Sequence, residues 1–156
     1  MNTINRLSRL IAFDTTSRHS NLALIHDCAD YLESLGLKPW LSHNADQSKA
    51  NLFATIAAAD GNTEGGLILS GHTDVVPTDG QAWQSDPYRA DIREGRLYGR
   101  GSTDMKGFIA AVLAAAPAMV QAGLKRPLHI ALSYDEEIGC LGAPVMIAEL
   151  QKRGLT

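Results

Sequence analysis

Five residues of the sequence have side chains that bind metal ions or transfer protons: His72, Asp74, Asp104, Glu136 and Glu137. Their motifs each close or follow an apolar run, which predicts that all five lie where a strand or a loop ends. Imidazole and carboxylate groups suit zinc, and a carboxylate that stays uncoordinated can serve as the base that activates a water molecule. These residue types therefore indicate metal-dependent hydrolysis.

The spacing within two of these motifs favours a metal site over ordinary packing. A metal-bound imidazole usually has a carboxylate that orients it, and Asp74 stands two residues after His72. Adjacent acids repel each other unless a cation neutralises one of them, so a metal explains the pair Glu136 and Glu137 better than packing does. Asp104 leaves an alternative open, because an Asp before a helix is explained equally well as its N-cap.

The elements that position these residues alternate between helical and strand patterns. Apolar residues at helical spacing predict helices, with Gly36 as the cap of the second helix, and continuous or alternating apolar runs predict strands. The prolines and glycines of segment 75–96 predict a long irregular loop. Helices are predicted over 4–11, 22–35, 104–123 and 143–153, and strands over 38–41, 52–58, 67–70 and 128–133.

This order of elements predicts an α/β fold, with a central mixed and largely parallel sheet that is flanked by helices. In open α/β sheets the reactive groups gather where strands end. His72 follows the predicted strand 67–70, and Glu136 and Glu137 follow the predicted strand 128–133. Asp104 ends the loop before a predicted helix. All three motifs are therefore expected at one edge of the sheet.

Composition and charge narrow the class of partner. The chain has 156 residues, of which 45% are hydrophobic, as is usual for about one globular domain. Its net charge of -3 comes without a basic run, so neither nucleic acid nor a membrane surface is expected as a partner. The N-terminal segment lacks the continuous apolar stretch of a signal peptide. Two cysteines, Cys28 and Cys140, are too few for a disulfide framework. A cytoplasmic location is therefore expected.

Segments 67–74, 97–107 and 128–137 together resemble those of the co-catalytic zinc metallopeptidase family, which includes acetylornithine deacetylase, succinyl-diaminopimelate desuccinylase and glutamate carboxypeptidase. The similarity runs from the first predicted helix to Thr156. It implies a zinc-exopeptidase-like fold and the hydrolysis of a linear amide.

The resemblance also implies a role for each of the five residues. His72 would bind one of two zinc ions, for which cobalt can substitute, and Asp74 would orient the imidazole. Asp104 would bridge both ions and Glu137 would bind the second. Glu136 would act first as the general base and then as the general acid.

Family members supply further ligands from segments that this sequence does not contain. These are a carboxylate some way beyond the Glu-Glu pair and a final histidine, with a smaller lid and dimerisation domain between them. Residues 1–156 are therefore expected to be the N-terminal part of a metallohydrolase catalytic domain, with a sheet that is incomplete at its C-terminus. The intact enzyme is expected to be a homodimer through the domain that is absent here.

Two classes of function remain open. Segments 80–88 and 133–140 are most similar to the acetylornithine deacetylases, which favours an amidohydrolase for a small N-acylated amino acid, namely N2-acetylornithine in arginine biosynthesis. Desuccinylation of a diaminopimelate precursor and dipeptide cleavage are variants of the same chemistry. The other class is a non-catalytic fragment that retains a partial metal site.

Overall fold

The computed structural model describes residues 2–155, which form a mixed sheet, a small hairpin and four helices. Within these residues no helix has both the length and the apolar character that crossing a membrane requires. The elements in chain order are α1 (Thr3–Ile11), α2 (Leu22–Ser34), β1 (Trp40–His43), β2 (Ala50–Ile56), β3 (Leu67–His72), β4 (Asp91–Arg93), β5 (Arg96–Tyr98), α3 (Lys106–Gln121), β6 (Leu128–Ser133) and α4 (Gly142–Lys152).

The helix boundaries follow from local signals. The side chain of Asn2 accepts the backbone N–H of Asn5 at 2.9 Å, which caps the start of α1. Gly36 follows α2 with a φ of +83°, the left-handed conformation that commonly ends a helix. Helices α3 and α4 lie within two residues of their predicted positions, and β6 coincides with the predicted strand.

The main sheet has the strand order β1-β2-β6-β3 and is mixed, as predicted. Parallel pairing is limited to β3 with β6, whereas β1 with β2 and β2 with β6 pair antiparallel. The expectation of a largely parallel sheet is therefore wrong for the described residues. A short turn joins β1 to β2 and permits only antiparallel pairing, while α3 lies in the connection that makes β6 parallel to β3.

The sheet separates two apolar layers. Alternate residues of β2 and β6, such as Leu52 and Ile130, face a core that they share with α1, α2 and α3. The residues between them, such as Phe53 and Ala131, face α4 and contact Met146. Helices therefore flank both faces of the sheet. They leave uncovered the strand ends at which the predicted site residues lie.

Strand bounds in the first half of the chain depart from the prediction. β1 begins at Trp40 because Pro39 has no N–H to donate to a ladder, and β2 begins at Ala50, which pairs with His43. The hairpin of β4 and β5 begins within segment 75–96, which was predicted to be irregular, and ends beyond it at Tyr98. Glu94 and Gly95 form its two-residue turn, with φ values of +51° and +72°, as the favoured hairpin turn requires.

Candidate metal centre

The parallel pair of β3 and β6 brings the first and third motifs together. His72 stands opposite Ser133 in the register of this pair. Thr73 fixes the continuation of β3 beside β6, because its N–H and its hydroxyl both donate to the backbone oxygen of Ser133, at 2.8 and 2.9 Å. The segment after His72 and the Glu136–Glu137 pair therefore leave the sheet side by side, as predicted for parallel strand ends.

The imidazole of His72 is buried among acidic residues. Its Nδ1 lies 3.0 Å from the backbone oxygen of Asp74 and 3.4 Å from the carboxylate Oδ1 of the same residue. Its Nε2 lies 3.0 Å from Asp104 Oδ1 and 3.7 Å from Glu136 Oε2. One ring nitrogen is thus held by Asp74 while the other faces two carboxylates, which is the arrangement that a metal-binding imidazole needs.

The surroundings of His72 favour a positive charge. Burial lowers the pKa of the imidazole, but hydrogen bonds with Asp74 and Asp104 outweigh this effect and raise the pKa of His72 to about 9. The carboxylates that stabilise a proton on the ring would equally stabilise a metal cation placed beside it.

The carboxylate of Asp74 is buried and holds the turn that follows β6. Its Oδ1 accepts the backbone N–H of Glu136 at 3.0 Å, and its Oδ2 accepts that of Glu137 at 3.2 Å. Oδ2 also accepts the hydroxyl of Ser17 at 2.7 Å. Burial raises the pKa of Asp74, but its hydrogen bonds outweigh burial and hold this pKa below its usual value. Asp74 therefore stays ionised and fixes the backbone of both glutamates.

Three side chains offer ligand atoms that are close enough to share one ion. One atom each from His72, Glu136 and Glu137 lie within 4.8 Å of one another, and we call these residues the metal-binding group. Burial raises the pKa of Glu137, and the negative charge of Asp104 raises it further. Crowded like charges favour a bound cation, and the set of one imidazole with carboxylates suits zinc.

Asp104 reaches the site from the loop before α3. Its side chain is 75% exposed, and its Oδ1 lies 3.0 Å from His72 Nε2. The alternative that Asp104 caps the helix is wrong, because Lys106 is the first helical residue, Met105 takes the N-cap position, and no side chain caps this end. The structure thus brings all five predicted residues together beside the C-terminal ends of β3 and β6.

Three further residues, Ser17, Lys49 and Asp135, support the site, and no motif in the sequence indicates Ser17 or Lys49. Ser17 donates to Asp74, and Lys49 donates to both carboxylate oxygens of Asp135, the residue directly before Glu136. These contacts join positions that are 57 and 86 residues apart, so no local pattern announces them. The available signal was Asp135 itself, since a third acid beside Glu136 and Glu137 calls for a counter-charge.

One protein family matches the part of the chain that carries this site. A sequence profile of peptidase family M20/M25/M40 matches residues 68–156, which contain all five predicted site residues. The chain belongs to peptidase family M20/M25/M40. Membership confirms the resemblance to the metallopeptidase family that the three motifs indicated.

Curated relatives of this M20/M25/M40 chain include two bacterial acetylornithine deacetylases. That of Pasteurella multocida (strain Pm70) is 41% identical over 147 residues, which cover 90% of this chain and 37% of the relative. That of Proteus mirabilis (strain HI4320) is 41% identical over 133 residues, which cover 85% of this chain and 33% of the relative. The chain thus spans about a third of the length of these relatives.

Solved structures of the family share the fold. Human carnosine dipeptidase 1 matches with a TM-score of 0.79 and 23% identity, over 97% of this chain and 35% of its own. The M20 family metallo-carboxypeptidase Sso-CP2 from Sulfolobus solfataricus matches with a TM-score of 0.84 and 23% identity, over 98% of this chain and 35% of its own. The predicted fold class, a mixed sheet flanked by helices, is confirmed.

Proposed function

We propose that the protein is a metal-dependent amidohydrolase that removes the acyl group from a small N-acylated amino acid, N2-acetylornithine. The observation that carries this proposal is the metal-binding group, whose three ligand atoms lie within 4.8 Å of one another beside a fourth acidic residue, Asp104. The choice of substrate is supported by the relatives at 41% identity, which are named acetylornithine deacetylase. The reaction would belong to arginine biosynthesis.

The metal that we propose is zinc, with two ions per site and cobalt as a substitute. His72 and Glu137 would each hold one ion, and Asp104 would contact both. When bound, zinc supplies Lewis acidity that polarises the amide carbonyl and lowers the pKa of water. The donor set fits this ion because crowded carboxylates need a cation and an imidazole stands among them.

Glu136 is the residue that we assign to proton transfer. Its backbone is held by Asp74 through the bond to its N–H, while its side chain is 45% exposed and can reach a substrate. The Glu136 carboxylate would take a proton from the attacking water and then give it to the departing amine, so that one group performs both transfers. Asp74 would keep the His72 imidazole oriented throughout.

We further propose that residues 1–156 are the N-terminal part of a catalytic domain. A lid and dimerisation domain and a C-terminal catalytic segment would supply the remaining metal ligands and the groups that recognise the substrate carboxylate. This assignment is supported by the share of the relatives that the chain covers, 37% and 33%. The intact enzyme would be a cytoplasmic homodimer.

The test is an assay of the full-length protein after metal removal. Zinc should restore the release of ornithine from N2-acetylornithine, and the metal-free protein should release none. N-succinyl-diaminopimelate and a dipeptide should be assayed in parallel, because faster turnover of either would reassign the substrate within the same chemistry. Absence of zinc-dependent hydrolysis of all three would favour a non-catalytic role and contradict the proposal.

A further inference from the structure

Lys49 joins two segments that support the metal-binding group. It stands just before β2, and only 12% of its side chain is exposed. The ammonium group donates to both carboxylate oxygens of Asp135, at 2.5 and 2.7 Å, and to the backbone oxygen of Ser17 at 2.5 Å. All three of its donors are therefore engaged, and one cation connects the segment before α2 to the turn after β6.

Asp135 stands directly before the Glu136–Glu137 pair. Its φ is +53°, a left-handed conformation that is unfavourable for most residues and tolerated by Asp. Its side chain is 8% exposed, and a carboxylate this buried requires a paired cation. The contact with Lys49 thus holds the side chain of the residue whose backbone leads into Glu136.

Ser17 provides a second connection from Lys49 to the backbone of Glu136 and Glu137. The backbone oxygen of Ser17 accepts a hydrogen bond from Lys49, and its side-chain hydroxyl donates to Asp74 at 2.7 Å. Asp74 in turn accepts the N–H groups of Glu136 and Glu137. The contacts through Asp135 and those through Ser17 therefore form one closed hydrogen-bond network. A displacement of Lys49 would move both glutamates relative to His72.

A gain in folding stability alone is a weak explanation for this hydrogen-bond network. A buried ion pair recovers in attraction little more than the cost of dehydrating both charges, and an apolar pair of similar volume is often equally stable. The two hydrogen bonds from Lys49 Nζ instead restrict the orientation of the Asp135 carboxylate, because one ammonium group holds both of its oxygens. A restriction of direction matters most where ligand atoms must meet an ion within tenths of an ångström.

We propose that Lys49 and Asp135 are positioning residues that set the place of Glu136 and Glu137 opposite His72. They would thereby control the affinity for metal and the rate of proton transfer. The effect on proton transfer rests on the proposed function of Glu136, whereas the effect on metal affinity is independent of any substrate.

The test uses full-length protein that carries Lys49→Met, Asp135→Asn or both. Asn keeps the size of Asp and tolerates a positive φ, so the second variant removes charge with little change of backbone. Each variant should bind zinc roughly 10–100-fold more weakly, shift the absorption bands of bound cobalt, and lower kcat more than it changes KM. The double variant should lose no more than Lys49→Met alone, because both changes remove the same contact.

Arg6→Met is the matched control. Arg6 is also a buried cation, with 4% of its side chain exposed, and it pairs with Asp27 at 3.8 Å between α1 and α2. Its loss should lower the melting temperature and leave zinc affinity, the cobalt spectrum and kcat unchanged. If Lys49→Met behaves like this control, the pair is only structural and the proposal is wrong.

Two further outcomes keep the test decisive. If Lys49→Met does not yield folded protein, Asp135→Asn decides, and wild-type zinc affinity in that variant overturns the positioning role. If the wild-type protein hydrolyses no acylated amino acid, the proposed function is wrong, and the zinc titrations still test Lys49 and Asp135.

Discussion

The backbone N–H of Glu136 donates to the carboxylate of Asp74 at 3.0 Å, although these residues are 62 positions apart in the chain. The same carboxylate accepts from Glu137 and Ser17 and lies 3.4 Å from His72 Nδ1. One buried side chain therefore couples the imidazole that ends β3 to the two glutamates that follow β6. Asp74 therefore does more than orient the imidazole of His72, because it also holds the backbone of Glu136 and Glu137.

Replacement of Asp74 by Asn should weaken zinc binding by roughly 10–100-fold. Three donors converge on the carboxylate, from Ser17 and from the amides of Glu136 and Glu137. An Asn side chain offers one acceptor, and its NH2 group would face a donor at the other position. Zinc titration of full-length protein measures the loss. Asp60→Asn, in an exposed turn, is the control and should bind zinc normally. Normal affinity in Asp74→Asn would contradict a supporting role.

Paired substitutions should separate the base from the ligand. Both glutamates belong to the metal-binding group, so their positions alone allow either role. We expect Glu136→Gln to lower turnover by about 10²–10⁴-fold, the usual effect of losing general acid-base catalysis, with zinc content near that of the wild type. Glu137→Gln should lose zinc. Metal analysis beside a turnover assay decides this, and an exchange of the two outcomes would show that the assigned roles are reversed.

Local patterns are sufficient to predict the elements that carry the site. The predicted strand 128–133 coincides with β6, because a short and largely apolar run that follows a proline is a local signal for a strand. Gly36 ends α2 for an equally local reason, its preference for a left-handed backbone. The positions of His72 and of the Glu136–Glu137 pair at strand ends therefore follow from residue patterns alone.

Contacts between distant segments could not be predicted in this way. The direction of β6 relative to β2 depends on the path of the chain through α3, and no residue pattern in either strand encodes it. Lys49 meets Asp135 only because the turn between β1 and β2 lies beside the end of β6. The hairpin turn at Glu94 and Gly95 is equally hard to predict, since Glu is an uncommon residue at positive φ.

Zinc should raise the thermal stability of the wild-type protein, and His72→Ala should abolish most of this gain. A ligand that binds only the folded state stabilises it by about 2.7 kcal/mol at a concentration 100 times its Kd. The gain is expected because the cation relieves the repulsion that contributes to the raised pKa of Glu137. Melting temperatures with and without zinc measure it. His43→Ala, which removes an exposed imidazole at the end of β1, should keep the full gain. An unchanged gain in His72→Ala would place the stabilising zinc elsewhere.

Cys28 and Cys140 should differ in their reactivity in the native protein. Cys28 belongs to the face of α2 that is buried in the core, and burial raises its pKa to about 12, so it should resist alkylation until the protein unfolds. Cys140 is exposed, and its Sγ lies 3.9 Å from Glu136 Oε1. Iodoacetamide should therefore modify Cys140 and leave Cys28 unmodified in the native full-length protein, and the group added at Cys140 should block access to Glu136 and abolish turnover. Mass spectrometry of peptides locates the adducts at Cys28 and Cys140, and Cys140→Ser should keep its activity after treatment, with Cys28 unmodified before unfolding. Full activity after Cys140 is alkylated would show that its side chain does not lie beside Glu136, and alkylation of Cys28 in the native protein would show that the core does not shield it.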